Sequence, residues 1–431
     1  MANPLNLAVT PFGRRDSRHM VTQQGDTLWL ALAQEGGVNL VPTEPRPVGL
    51  FELQLLKDGK AQPYTYQTDG FLLTLYLADG KESAAIAHDT ALNALRIQTQ
   101  NGVTLRLDGK MPSGVSSLNK PHWGGTEVNI GGGKYFFIAK SGTISFDDTW
   151  VVASFGSVTP ILDVAPDASG AAELIAYELA PDTAPPEVTQ SFTQAAAANR
   201  TDYEAFAGKL LRDSLSDELK YKIWLNSRKL PNGHYAIVGN RLQSSSTNAA
   251  EQAIASFAFK DGDSAIDVMT SLPQSSPPLL GAAALALYDI FALGDSFFDK
   301  TRELKGELEN ALKWWDDNRH YPGGYYYAYR HETGLPNPPG FKDNGFAPDP
   351  TLAKLIDAHK IILTAYKETW DKRGFSVFGT MSDENGNNVR VYNEAIQPVV
   401  EAYNALDLTQ FAGSGLFADI LKEVKIYVWD K

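Results

Sequence analysis

The stretch Ala180-Pro181-Asp182-Thr183-Ala184-Pro185-Pro186-Glu187-Val188 separates two parts of the sequence that differ in periodicity. Its two adjacent prolines and its shortage of apolar side chains break any regular element. On its N-terminal side the apolar residues come in short runs: Thr27 to Ala33, Gly49 to Leu56, Phe71 to Leu77, Ala94 to Gln98, Thr104 to Leu107, Tyr135 to Ala139 and Thr149 to Phe155. Turn chemistry separates them, as in Lys57-Asp58-Gly59-Lys60, Ala78-Asp79-Gly80 and Gln100-Asn101-Gly102, where glycine supplies the positive φ of a tight hairpin. On its C-terminal side apolar residues recur at helical spacing. That pattern predicts nine helices, near 202–214, 217–229, 248–259, 262–271, 277–293, 299–318, 350–370, 393–407 and 416–427. The expected organisation is an N-terminal antiparallel β-sandwich over 1–185, a linker over 186–200 and an all-α domain over 201–431.

A chain of 431 residues exceeds one ordinary core, and 43% hydrophobic with 11% aromatic residues is ample for two. The 38 basic residues against 51 acidic ones give a net charge of -13, which repels phosphate backbones, so nucleic acid is not an expected partner. No window reaches the ~18 apolar residues of a membrane span. The nearest approach, Leu279 to Leu293, is broken by Gly281 and Asp289. Arg14, Arg15 and Arg18 follow the short apolar start, with no signal-peptide core after them. A soluble, cytoplasmic protein is therefore expected, or a secreted one if a leader precedes this sequence. The absence of cysteine excludes disulfides, thiolate metal sites and cysteine nucleophiles.

Long loops in a helical domain are where chemistry is expected, and two are predicted, Arg319 to Asp349 and Asp371 to Tyr392. The first follows Trp314-Trp315-Asp316-Asp317 and runs through Tyr325-Tyr326-Tyr327-Ala328-Tyr329-Arg330-His331-Glu332 to Phe341. Rings that stack on sugar faces, with carboxylates between them, are what a saccharide subsite needs. The plainer alternative is that these rings pack the end of a helix.

Several elements in this region resemble the inverting α-glucosidase-like glycoside hydrolases with an (α/α)6 toroid, the group of trehalases, processing α-glucosidases and bacterial debranching-like proteins. Gln274 to Tyr288 is similar to that group's proline-started helix, Glu309 to Asn318 to its helix ending in a tryptophan pair, and Tyr325 to Phe341 to its acid-bearing loop. The resemblance spans roughly Leu210 to Leu408. It implies a toroid, incomplete here because nine helices cannot close a ring of twelve. It also implies carboxylate acid/base catalysis on a small α-linked saccharide. The position of the family's acid is Pro336, which transfers no proton, and the family's tryptophan-aspartate pair is Ala250-Glu251.

Substitute carboxylates lie in the same loops: Glu332, Asp343 and Asp349 on one side, Glu384 and Glu394 on the other. The catalytic candidates are Glu332, Asp343 and Glu394. Glu332 has a structural alternative, pairing with Arg319 or Arg330 or capping loop amides. The substrate-binding candidates are Trp315, Tyr325, Tyr327, Tyr329, His331, Asn337, Phe341, Glu251 and Trp123. The seven histidines form no metal-ligand spacing, Gly131-Gly132-Gly133-Lys134 lacks the phosphate-loop spacing, and no nucleophile elbow occurs, so no metal or cofactor is expected.

Three functions are consistent with this pattern. The first is a glycoside-processing hydrolase. The second is a toroid scaffold turned isomerase, cyclase or lyase, with one carboxylic acid in an aromatic pocket. The third is a non-catalytic carbohydrate-binding protein. The expected partners are a small saccharide and, as a further candidate, a second copy of the chain, with no membrane.

Overall fold

The computed structural model describes residues 5–32, 49–109, 115–119, 126–130, 133–146, 161–179, 187–211, 215–239, 249–272, 278–281, 283–284, 302–329, 332, 350–372, 378–382, 388–392 and 415–424. These fall into two units. One comprises the residues up to Ala207 together with Trp224–Asn226, and the other comprises Gly208–Ile223, Ser227–Gly239 and the residues from Ser246 onward.

The first unit is built on two antiparallel sheets. One runs β1 (His19–Gln24), β2 (Thr27–Leu32), β3 (Gly49–Lys57), β9 (Thr104–Gly109), β14 (Ile161–Ala165), β13 (Thr143–Phe146), with β4 (Lys60–Gln62) paired to β3. The other runs β10 (Val115–Asn119), β11 (Thr126–Ile130), β12 (Gly133–Ser141), β15 (Ala172–Leu179), β8 (Ala94–Thr99), β7 (Glu82–Asp89), β6 (Leu72–Leu77), β5 (Tyr64–Thr68). Asp58 and Gly59, at φ 50° and 74°, make the two-residue turn that sets Lys57 opposite Lys60. Alternation then sorts the faces. On β9, Leu105 and Leu107 enter the core while Arg106 lies outside, bidentate to Asp163 of β14 at 2.8 Å. The inner faces share one core, in which Phe51 of β3 meets Phe137 of β12 edge-on with ring centroids 5.5 Å apart.

Helix α1 (Phe192–Ala207) also belongs to this unit and packs on β7. It starts inside the stretch expected as linker, because Ser191 and Gln194 cap one another: the Gln194 amide donates to Ser191 Oγ at 3.2 Å and the Ser191 amide to Gln194 Oε1 at 2.8 Å. Its entry is fixed by Arg96, fully buried on β8, which donates to Asp89, to Glu173 and to the Gln190 carbonyl.

The second unit holds α2 (Asp217–Asn226, its last three residues belonging with the first unit), α3 (Ala249–Ser256), α4 (Gly262–Met269), α5 (Arg302–Arg319), α6 (Pro350–Lys372) and α7 (Leu416–Glu423). Between them lie three antiparallel hairpins: β16 (Ser227–Lys229) with β17 (Tyr235–Ile237), β18 (His320–Tyr321) with β19 (Gly324–Tyr325), and β20 (Phe378–Ser382) with β21 (Asn388–Tyr392).

The expected all-α (α/α) toroid, complete or incomplete, is therefore corrected. The described residues carry seven helices beside several antiparallel sheets, and hairpins interrupt the helical half. The physical reason is local. Gly233 at φ 92° and Gly323 and Gly324 at φ 123° and 137° take conformations that no helix accepts. The helix expected over 217–229 accordingly ends at Asn226, and Ser227–Lys229 turn back as a strand. Gln252 of α3 completes that hairpin's edge, accepting from the Ile237 amide at 2.8 Å and donating to its carbonyl at 2.7 Å. The helix expected over 393–407 lies outside the described residues.

Helices α5 and α6 pack against each other and carry the candidate site. Leu304, Leu308, Ala311 and Trp315 form the buried stripe of α5, and Leu352, Leu355, Ile356 and His359 that of α6. A Cβ on Gly281 would lie 2.7 Å from the His359 backbone nitrogen, so only glycine allows this approach to α6. No helix among the described residues is long and apolar enough to cross a membrane.

Candidate functional site

The aromatic and acidic segment sits where α5 ends and hairpin β18–β19 begins. Arg319, the last residue of α5, turns its guanidinium onto Glu332: Nε donates to the two carboxylate oxygens at 2.9 and 3.0 Å, and Nη2 also donates to Oε1. The hydrogen bond to Glu332 raises the Arg319 pKa above its ordinary value against the opposing effect of burial. A cation at a helix C-terminus is also favourable to the helix dipole. The same guanidinium lies over the Trp314 ring at 5.0 Å and the Tyr329 ring at 5.5 Å. Glu332 is buried and accepts the amides of Ala328 and Tyr329 at 2.7 and 3.2 Å. Two rings, a cation and a loop are thereby held in one arrangement.

The candidate residues separate by depth. Trp315 is fully buried in a core with Tyr325, Leu352 and Ile356. Tyr325 is buried too, and its hydroxyl donates to Asp316 at 2.5 Å. Burial, reinforced by Asp316, raises its pKa above the ordinary tyrosine value. Tyr327 is half-buried with its ring edge-on to Trp315, centroids 5.9 Å apart. Tyr329 is 59% exposed and Tyr321, at the hairpin tip, 58% exposed. Glu251 is half-buried in the first turn of α3. Asp343, Glu394, His331, Asn337, Phe341 and Trp123 lie outside the described residues.

The structure thus gathers Glu332, Tyr329, Trp314 and Arg319 into one cluster and assigns Trp315 and Tyr325 to the core beneath it. Arg319 and Trp314 are the members absent from the candidate set, and helical spacing contained the signal for one of them. Trp315 continues the stripe of Leu304, Leu308 and Ala311, and its neighbour Trp314, one position off that stripe, is only half-buried at the margin of the same core. Among the described residues, no three His, Asp or Glu side chains gather as a metal site would require.

No protein-family model matches the chain, and no curated protein matches it. Among solved structures it is similar to a GH92 α-mannosidase from Bacteroides thetaiotaomicron. The identity is 11%, the match covers 94% of this chain and 77% of that one, and the TM-score is 0.35. A likeness that loose bears on neither fold nor chemistry.

Proposed function

We propose that the chain is a carbohydrate-active, glycoside-processing protein that receives a small α-linked saccharide on the aromatic surface at the end of α5. The observation that carries this is the Arg319 guanidinium, tied to Glu332 and lying over both Trp314 and Tyr329, the second of which leaves more than half of its surface to solvent. Exposed, pre-ordered rings present apolar faces to the C–H surface of a sugar at little entropic cost.

Glu332 has its oxygens engaged by Arg319 and two amides, which suits it to positioning these rings rather than to moving a proton. Proton transfer is assigned to Asp343 and Glu394, which as an inverting pair would stand roughly 6.5–9.5 Å apart.

A panel of α-linked disaccharides tests the proposal, with binding read by calorimetry and hydrolysis by release of reducing sugar. Binding weakened by Tyr329→Ala, with hydrolysis abolished by Asp343→Asn or Glu394→Gln, is expected. No binding to any member of the panel would refute it. Binding without hydrolysis identifies a carbohydrate-binding protein, the second reading, which the engagement of Glu332 favours.

A further inference from the structure

Hairpin β16–β17 and helix α4 hold an imidazole that the aromatic surface does not use. His234 closes the turn after β16: Leu230 donates its amide to the His234 carbonyl at 2.8 Å, and the His234 amide donates to Asn232 Oδ1 at 3.1 Å. Its Nδ1 lies 2.7 Å from Asp267 Oδ1, and Asp267 Oδ2 accepts the Tyr235 amide at 3.0 Å. A carboxylate only accepts, so the proton of the neutral ring sits on Nδ1, and the lone pair is left on Nε2. Nε2 has no partner among the described residues, and the side chain is 30% exposed. The hairpin does not need this ring for its attachment. Gln252 already pairs with both backbone groups of Ile237, and Asp267 already holds the Tyr235 amide.

We propose that His234 is a nucleophilic imidazole, oriented by Asp267, that takes acyl groups from electrophilic carbonyl donors at Nε2. A base-paired, tautomer-fixed nucleophile whose partner is held in turn by a third group is the arrangement by which protein side chains are activated for such attack. The Nε2 lone pair attacks the carbonyl carbon, the bond from that carbon to the leaving oxygen breaks, and the leaving group departs with the electron pair. The Nδ1 proton, acidified in the resulting acyl-imidazolium, passes to Asp267 and then to solvent. The proposal is independent of the saccharide reading, since it uses different elements and a different chemistry.

Diethyl pyrocarbonate on the full chain at neutral pH tests it, with ethoxyformylated peptides counted by mass spectrometry over time. The exposed His320 is the internal reference. His234 is expected to react about tenfold faster than His320, the scale of a hydrogen bond to a charged group. Asp267→Asn, whose amide oxygen still accepts the Tyr235 amide, is expected to bring the two rates together. His234 reacting no faster than His320 in the unaltered protein would overturn the proposal, as would an Asp267→Asn protein with native circular dichroism and undiminished His234 labelling. The unaltered protein decides by itself should that variant fail to fold.

Discussion

Asp202 accepts the indole N–H of Trp224 at 2.9 Å while its two oxygens take Arg15 at 2.7 and 2.5 Å. This one carboxylate satisfies a fully buried tryptophan whose ring also packs edge-on against Tyr203 and Phe71. Asp202→Ala removes the acceptor of the indole donor and an ion-pair partner of the guanidinium. A loss of about 3 kcal/mol in urea unfolding is expected.

The same carboxyl carries a pH dependence. Burial pushes its pKa up, but the hydrogen bonds from Arg15 and Trp224 and the charges of Arg15 and Arg14 outweigh burial and hold it below its ordinary 3.8. Its folded value being depressed, its contribution is whole above the unfolded value and is lost as pH falls through the folded one. Asp202→Asn should therefore flatten stability against pH below about pH 4 and leave its slope above that unchanged.

Arg96 is the corresponding device at the entry to α1. It is fully buried, with Asp89 at 3.1 Å, Glu173 at 2.5 Å and the Gln190 carbonyl at 2.9 Å, and its guanidinium lies over the Phe192 ring at 5.7 Å. Arg96→Met keeps much of the volume and removes the charge that faces two buried carboxylates, leaving Asp89 with the amides of Ala91 and Leu92 and Glu173 with Lys140 at 3.9 Å. A destabilisation of about 3–5 kcal/mol is expected in calorimetry or urea titration. A change below 1 kcal/mol would mean that the carboxylates find other partners.

His359 gives the second unit an acid limit. Burial lowers its pKa from 6.5 to about 4, against a smaller upward effect of its Nδ1 bond to the Leu355 carbonyl. The folded form stays neutral while the unfolded chain takes a proton below 6.5. Stability from this residue is thus complete above pH 6.5 and is lost as pH falls toward 4, by an amount on the order of 3 kcal/mol. His359→Leu should remove that part of the slope, and urea titrations at pH 7 and pH 4.5 check it.

The strands were legible because turns such as Asp58-Gly59 punctuate them, and α5 because Leu304, Leu308, Ala311 and Trp315 keep a helical stripe. The start of α1 is also written in the sequence, in the cap formed by Ser191 and Gln194, next to a proline-rich stretch whose composition is that of a linker. Hairpin β16–β17 has a local signal in Pro231-Asn232-Gly233, whose glycine takes φ 92°, but its edge is completed by Gln252, fifteen positions beyond Ile237, and no local pattern reports that pairing. At the candidate site, composition singles out an aromatic and acidic segment but does not say which rings face inward. That depends on helical phase for Trp315 and, for Tyr325, on a hydroxyl contact to Asp316 nine positions earlier.

Glu332 is where scaffold and chemistry separate most cleanly. The carboxylate, 3% exposed, is bound by Arg319 and by the amides of Ala328 and Tyr329. Glu332→Gln keeps the volume and one acceptor oxygen but turns an amide N–H₂ toward the guanidinium, where donor faces donor. Breaking one side of so buried a pair should cost about 2 kcal/mol or more, a fall of several degrees in Tm for a unit of this size. Because Arg319 is what Trp314 and Tyr329 stack on, saccharide binding should weaken in the same variant. Arg319→Gln should give nearly the same loss, and the double variant little more than either alone, since the two side chains act as one. A general acid or base would behave otherwise, losing roughly 100-fold or more in turnover at an unchanged Tm. Measuring Tm, binding and turnover on the three proteins assigns Glu332 to one role or the other.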